Sequence, residues 1–135
     1  MRRLEGFQRG INLGGWLSQG PLDKHHLDTF IMEDDIKKIA GWGADHVRLP
    51  LDYENVETEE GDDIEEGYRH IEDCISWCRK YNLKMVLDLH KTHGYIFDDQ
   101  DYSKDFFHNE GLQERFLNLW KKIISRFAKD ADIVM

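Results

Sequence analysis

Short apolar runs alternate with longer stretches of helical periodicity along this chain of 135 residues. Four of the runs have the length and the flanking glycine or polar residues that are typical of β-strands. They lie at residues 10–13, 46–50, 84–90 and 133–135. The pattern therefore predicts four strands, of which the last is only begun within the sequence.

The segments between the strands repeat apolar residues with a period close to 3.6, which predicts helices at residues 33–41, 64–81 and 110–129. The first helix begins with three acidic residues and the second ends with Arg79 and Lys80, so these charges stabilise the helix dipole. Strands and helices thus alternate along the chain. This order favours a single parallel sheet with right-handed crossover connections.

The two faces of the predicted strands differ in polarity. Because side chains alternate along a strand, Val47 and Leu49 share one face while Arg48 lies on the other. Asn12 and His90 take the corresponding polar face near the carboxyl ends of the first and third strands. A doubly wound sheet is covered by helices on both faces and is usually apolar on both. A (β/α)₈ barrel instead gathers polar groups at the carboxyl ends of its strands, so the barrel is the favoured fold.

The length of the chain limits how much of a barrel it can form. A complete (β/α)₈ TIM barrel typically takes about 250 residues. We therefore predict an α/β fold in which residues 1–135 form a single partial domain, the N-terminal half of such a barrel. Its order is strand and helix three times over, followed by the start of a fourth strand.

Charge and composition narrow the class of protein. The chain has 18 Lys and Arg residues against 27 Asp and Glu, a formal net charge of −9, which argues against binding to nucleic acid or to an anionic membrane. No signal peptide or membrane-spanning run is recognisable, so we expect a cytoplasmic protein, although the mature form of a secreted one would look the same. Cys74 and Cys78 lie on the apolar stripe of a predicted helix, and we expect buried free thiols.

Arg48 and His90 are the strongest candidates for chemistry. A cation on the inner face of a barrel needs a partner, and Asp88 on the neighbouring strand is the natural one. Two interpretations stay open for this pair. It can neutralise a polar interior, or Arg48 can orient a catalytic carboxylate and keep it ionised. His90 ends the third strand, where barrel enzymes place their active sites.

Other chemistries find less support. The pairs His90 with His93 and His25 with His26 are not completed to a set of three or four metal ligands, so we predict no metal and no other cofactor. Neither a glycine-rich phosphate motif nor a G-x-S-x-G motif occurs, which leaves nucleotide binding and serine hydrolysis unsupported. The segment 54–66 holds eight acidic residues, and a solvated loop explains them better than a calcium site does.

Aromatic residues follow each of the first three strands. Trp16, Tyr53 and Tyr95 would therefore surround the mouth of a barrel. Sugar rings stack on such aromatic faces, although each residue could equally pack within a loop.

Three segments together resemble the N-terminal half of a family 5 glycoside hydrolase. They are residues 9–16 (RGINLGGW), 45–53 (DHVRLPLDY) and 81–90 (YNLKMVLDLH). The resemblance is greatest to clostridial endoglucanases of the cytoplasmic type that cut β-1,4-glucans. It extends over essentially the whole chain, with the motifs in the same order.

The resemblance implies a cellulase-type glycosidase that degrades polysaccharides by retaining, two-glutamate chemistry. Both family glutamates would lie beyond this chain, so the chain alone is expected to be inactive. Arg48 would support the nucleophile and His90 would line the subsite of bond cleavage. Asn12, Trp16, Tyr53 and Tyr95 would bind the substrate.

Two further hypotheses stay open. The chain could be a self-contained α/β carbohydrate-binding or scaffold domain without catalysis, or a barrel hydrolase that depends on a metal. The expected partner is a β-glucan oligosaccharide or polysaccharide. The open edges of half a barrel also predict self-association or association with the missing C-terminal half.

Overall fold

The computed structural model describes residues 5–97 and 105–135. Its centre is a parallel sheet of three strands, β1 (Gly10–Asn12), β2 (His46–Asp52) and β3 (Lys84–Lys91), arranged in the order β1-β2-β3. The predicted strand–helix alternation is thus confirmed for the first three strands.

The predicted fourth strand begins at the other side of β3. Val134 forms a parallel bridge with Met85. The N–H of Met85 donates to the carbonyl of Ile133 at 2.9 Å, and the N–H of Leu87 donates to the carbonyl of Met135 at the same distance. The segment 133–135 therefore extends the sheet beside β3.

Four α-helices connect and flank the strands. They are α1 (Lys24–Thr29), α2 (Glu33–Gly41), α3 (Glu65–Lys80) and α4 (Glu110–Phe127). The sequence pattern predicted α2, α3 and α4 to within two residues at each end, but it did not predict the short α1.

The helix ends have local causes in the sequence. The Asp23 side chain accepts a hydrogen bond from the N–H of His26 at 3.0 Å and caps α1. Asn109 caps α4 in the same way through the N–H of Leu112. α3 starts against a turn of 3₁₀ helix, and a Cβ at Gly67 would lie 1.7 Å from the carbonyl oxygen of Asn55. Only glycine allows so close an approach at that position.

The hydrophobic core lies between the sheet and the helices. Val47, Leu49 and Met85 point from the strands into this layer and are fully buried. The core also contains Cys74 and Cys78, which are free thiols, so the prediction for the cysteines is confirmed. A hydrogen bond to Cys78 and burial together raise the pKa of Cys74, which keeps that thiol protonated and unreactive.

The acidic segment between β2 and α3 is less solvated than the sequence suggested. Glu57 is buried and accepts a hydrogen bond from Arg115 Nε of α4 at 2.6 Å. Arg115 also donates to the carbonyls of Thr58 and Glu59, and Lys122 Nζ lies 2.7 Å from Asp63. The expectation of a solvated loop was therefore wrong for Glu57, whereas Asp63 is exposed as expected. The ion pairs of Glu57 and Asp63 with Arg115 and Lys122 hold the segment against α4.

No helix within residues 5–97 and 105–135 is both long and apolar enough to cross a membrane.

Candidate active site

Four polar side chains form one hydrogen-bonded network on the face of the sheet opposite the core. Arg48 Nη1 donates to Asn12 Oδ1 at 2.5 Å, and Arg48 Nη2 donates to Asp88 Oδ2. His90 Nδ1 lies 3.2 Å from Asp88 Oδ2 and 3.2 Å from Arg48 Nη2. The predicted candidates Asn12, Arg48 and His90 are therefore brought together, with Asp88 as the link between them.

The strand register explains why these residues meet. Asn12 pairs with Arg48 across β1 and β2, and Arg48 pairs with Val86 across β2 and β3. Asp88 and His90 follow on the same face of β3 at intervals of two residues. Residues that are far apart in sequence thus form adjacent rows on one face of three parallel strands, with Asn12 and His90 near the carboxyl ends of β1 and β3 and Arg48 within β2.

The network fixes the orientation of its side chains but contributes little to the stability of the fold. The side chains of Arg48, Asp88 and His90 are 37%, 33% and 32% exposed, so water screens the ion pair. Guanidinium and carboxylate balance each other's charge, and each fixes the direction of the other. The geometry leaves a partly hydrated, polar platform on which further groups can be bound.

A second polar contact lies where β2 and β3 end. Asp52 is buried, its Oδ2 lies 2.9 Å from Lys91 Nζ, and it also accepts the N–H of Gln19 at 2.9 Å. This carboxylate thereby fastens the segment after β1 to the ends of β2 and β3. The sequence pattern did not predict that Asp52 and Lys91 form a pair.

The aromatic candidates are placed unequally. Trp16 was expected at the mouth of the barrel, but it is only 1% exposed, and its indole N–H donates to the carbonyl of Leu27 at 2.8 Å. Its ring stacks on Trp77 with centroids 6.3 Å apart, so it offers no open face. Tyr53 is also buried, with its ring edge-on to His93. The alternative of loop packing, which the sequence left open, describes both residues.

Tyr95 is the aromatic candidate that keeps partial exposure. It lies in the tight turn after β3, where Thr92 and Tyr95 exchange backbone hydrogen bonds at 3.2 and 2.9 Å. Its ring contacts Phe106 and Phe107, with centroids 5.5 and 5.7 Å away. Tyr95 therefore remains a candidate for contact with a substrate at the same end of the sheet.

One possible metal-binding group was missed by the sequence analysis. Asp28, Glu66 and His70 bring three ligand atoms within 4.8 Å of one another. This group joins α1 to α3 and includes none of the histidines that the sequence had singled out. The available signal was the spacing of Glu66 and His70, four residues apart on one helix, where side chains share a face.

Known proteins of one family are similar to this chain. The sequence profile of the cellulase family, glycosyl hydrolase family 5, matches residues 9–135. The chain is 48% identical over 135 residues to cellodextrinase A of Ruminococcus flavefaciens, covering 100% of this chain and 40% of that protein. It is 44% identical over 129 residues to endoglucanase C of Acetivibrio thermocellus, covering 93% of this chain and 37% of that protein. The chain spans about two-fifths of the length of these curated relatives.

A solved structure is similar in fold. Cel5A of Thermotoga maritima, a mutant form in complex with cellobiose, superposes with a TM-score of 0.68 at 21% identity. The match covers 96% of this chain and 41% of that one. The fold class predicted from the sequence is confirmed, because the α/β architecture of this chain is that of the N-terminal part of a (β/α)₈ barrel.

Proposed function

The chain belongs to the cellulase family, glycosyl hydrolase family 5, and from this premise we propose that it supplies one side of the active site of a retaining β-1,4-glucanase. The observation that carries the proposal is the network of Asn12, Arg48, Asp88 and His90, which extends from within β2 to the carboxyl ends of β1 and β3. This is the end of the sheet at which barrel enzymes perform their chemistry.

Arg48 is proposed to orient and ionise the nucleophilic carboxylate. A guanidinium has five N–H donors; Asn12 takes one on Nη1, Asp88 takes one on Nη2, and His90 Nδ1 lies beside Nη2, which leaves the second N–H of Nη1 and the Nε N–H. The remaining donors can bind another carboxylate. A guanidinium that is hydrogen-bonded to a carboxyl group lowers the pKa of that group and keeps it ionised, which is the form that attacks a sugar carbon.

His90 is proposed to line the subsite where the glycosidic bond breaks. Its Nδ1 lies 3.2 Å from both Asp88 Oδ2 and Arg48 Nη2, and a hydrogen bond to either one, donated to Asp88 or accepted from Arg48, fixes the plane of the ring. The other ring nitrogen, Nε2, is then the atom that can exchange a hydrogen bond with a sugar hydroxyl.

The two catalytic glutamates are proposed to come from outside residues 1–135. Retaining hydrolysis requires two carboxyl groups about 5–5.5 Å apart, one as acid/base and one as nucleophile. Among the described carboxylates near the strand ends, Asp88 binds Arg48 and Asp52 lies beside Lys91. Glu54 follows the strand that ends with Asp52, so these two do not form a pair that flanks a sugar. We therefore expect no glucan hydrolysis from these 135 residues alone.

The substrate class rests on the relatives. Two of them are named a cellodextrinase and an endoglucanase, and the Thermotoga enzyme was solved with cellobiose. We propose β-1,4-linked glucans or their oligosaccharides as the substrate here, with Asn12 and Tyr95 on the substrate side. Trp16 and Tyr53 are left out of this role because their rings are buried.

An apolar surface beside the last strand supports the proposal that further chain completes the barrel. Leu87, Trp120, Ile123 and Val134 line an open groove of about 210 Å³ there. Ile124 and Met135, which also line this groove, are 60% and 52% exposed, so apolar side chains there are open to water. We propose that the C-terminal half of the barrel, or a second copy of the chain, covers it.

Reading the coding sequence beyond Met135 tests the location of the glutamates. We expect an Asn-Glu pair within roughly the next ten residues, at the end of the fourth strand, as the retaining mechanism requires an acid/base carboxyl in the barrel mouth. A stop codon there would contradict the proposal of a two-glutamate enzyme and favour a binding domain.

Assays on soluble β-1,4-glucan and on cellodextrins test the activity itself. We expect turnover by the full-length protein and none by residues 1–135 purified separately. Full-length protein carrying Arg48→Ala should lose nearly all activity, while Arg79→Ala should keep it, because Arg79 pairs with Asp130 and Asp132, which lie outside the strand-end network. Equal activity of the two arginine variants would contradict the assignment of Arg48.

A further inference from the structure

We propose that Asp28, Glu66 and His70 form a binding site for a divalent transition-metal ion of the zinc type, on helices outside the strand-end network. His70 is only 4% exposed, yet its Nε2 has no hydrogen-bond partner among the described residues. Leaving such a buried nitrogen unpaired is unfavourable, because it loses its hydrogen bonds to water without replacement, so its retention calls for a partner. Asp28 Oδ1 lies 3.6 Å away, too far for a hydrogen bond.

The three ligands come together from two helices. Glu66 and His70 are one turn apart on α3, and Asp28 approaches from α1. Their ligand atoms lie within 4.8 Å of one another. Around a tetrahedral zinc ion with bonds of about 2.0–2.2 Å, ligand atoms are about 3.4 Å apart. The 3.6 Å separation of His70 Nε2 from Asp28 Oδ1 is already near this value.

The chemistry of the ligands fits this class of ion. One imidazole nitrogen and two carboxylate oxygens suit zinc, and three protein ligands leave the fourth position for water. Burial lowers the pKa of His70, which keeps the ring neutral and its lone pair free near pH 7. A hydrogen bond from Lys24 lowers the pKa of Asp28, so that ligand is ionised.

Two cations compete for the same carboxylates. Lys24 Nζ lies 2.8 Å from Asp28 Oδ2 and 2.5 Å from Glu66 Oε1. Arg69 Nη2 lies 3.4 Å from Asp28 Oδ1 and 3.2 Å from Glu66 Oε1. The Lys24 side chain is 68% exposed and can swing into solvent when a metal enters. Lys24 therefore acts as a competitor whose removal should strengthen metal binding.

Metal binding would stiffen the segment that follows β1. The carbonyl of Leu27 on α1 accepts the indole N–H of Trp16, and His26 Nε2 lies 2.7 Å from the carbonyl of Gly15. A metal that joins α1 to α3 would hold these contacts in place. The site would therefore act on the loop next to Asn12 without taking part in the chemistry.

Titration of the purified protein with zinc chloride against a chromogenic chelator tests the proposal. We expect one ion per chain. His70→Ala and Asp28→Asn should each weaken binding at least tenfold, and Lys24→Met should strengthen it severalfold. His25→Ala is the matched control, because His25 is an exposed histidine of the same helix outside the cluster, and it should leave the affinity unchanged.

Circular dichroism of each variant separates loss of binding from loss of folding. If His70→Ala fails to fold, the exposed Asp28→Asn decides the matter. Absence of zinc binding by the unsubstituted protein would overturn the proposal. So would equal weakening by His25→Ala, or weaker binding by Lys24→Met.

Discussion

Arg48 and Leu49 are neighbours in β2, yet one lies in a hydrated polar network and the other in the apolar core. Leu49 is fully buried on the helix-facing side, where apolar packing stabilises the fold. Arg48 lies on the opposite face in a network that water reaches, where ion pairs contribute little to stability. The comparison teaches that, because side chains alternate along a strand, one face of β2 can stabilise the fold while the other carries the proposed active site. Predictions can be ranked by how strongly they disturb this separation.

The largest expected effect is on the apolar side. Leu49→Ala should lower the free energy of unfolding by about 3 kcal/mol, because it removes buried methyl groups and leaves a cavity. Urea unfolding followed by circular dichroism measures this change. The folded molecules of the full-length enzyme should keep their kcat/KM, since Leu49 lies on the face of β2 opposite the polar network. A loss below about 1 kcal/mol would show that the helix-facing layer is not the main core.

The matching change on the polar side is Arg48→Ala. We expect kcat/KM of the full-length enzyme to fall about 100-fold, as when one donor to a developing charge is removed. The free energy of unfolding should change by less than about 1 kcal/mol, because the pair with Asp88 is partly exposed. Steady-state kinetics and urea unfolding of the same preparation check both statements. A large loss of stability with unchanged kinetics would reverse the assignment of the two faces.

A smaller effect is expected at the rim of the polar side. Tyr95→Ala should raise KM for a cellodextrin by about fivefold, because stacking of an aromatic ring contributes about 1 kcal/mol. Tyr95→Phe is the conservative control, since it keeps the ring. Initial rates over a range of cellodextrin concentrations give the comparison. Equal KM values for the alanine variant and the unsubstituted enzyme would remove Tyr95 from the substrate side.

The smallest expected effect is on the pH dependence of stability, and it concerns Asp45, a polar residue outside the proposed active site. Asp45 precedes β2, accepts the N–H groups of Gln8 and Arg9, and lies 2.7 Å from His46 Nδ1. The hydrogen bond from His46, followed by those from the backbone, lowers its pKa from 3.8 to about 2. Because the folded-state pKa is the lower one, the stabilisation is present above about pH 4 and is lost as the pH falls towards 2.

Asp45→Asn should therefore destabilise the protein at pH 7, and the difference from the unsubstituted protein should shrink between pH 4 and pH 2. Chemical unfolding at a series of pH values measures it. Activity per folded molecule should be unchanged, because Asp45 lies at the amino end of β2, away from the network. A difference that is independent of pH would contradict the role given to the carboxylate.

Elements with long, regular patterns were predictable from the sequence. The strand at 84–90 and the helix at 33–41 were predicted almost to the residue. The strand shows a regular alternation of side chains, and the helix begins with three acidic residues and ends at a glycine. The short α1 was not predicted, since six residues are too few to establish a period. The last turn of the predicted 110–129 helix tightens into 3₁₀ helix after Phe127, a change that apolar spacing does not register.

The candidate site was predictable only where it follows from strand geometry. Arg48, Asp88 and His90 were expected together because they occupy one face at the carboxyl ends of neighbouring strands. The burial of Trp16 depends on its packing against Trp77, some 60 residues later, and no local pattern reports such a contact. The same holds for Asp28 and His70, which come from different helices.

The central claim is that Arg48 and His90 act as one unit in the proposed hydrolysis. A double-mutant cycle on kcat/KM with soluble β-1,4-glucan tests it most directly, using Arg48→Ala, His90→Ala and both changes together in the full-length enzyme. Our account predicts that the double variant loses no more than about tenfold beyond the more damaging single change, as for residues that work together. Losses that multiply fully would contradict it, because they would mean that the two side chains act independently.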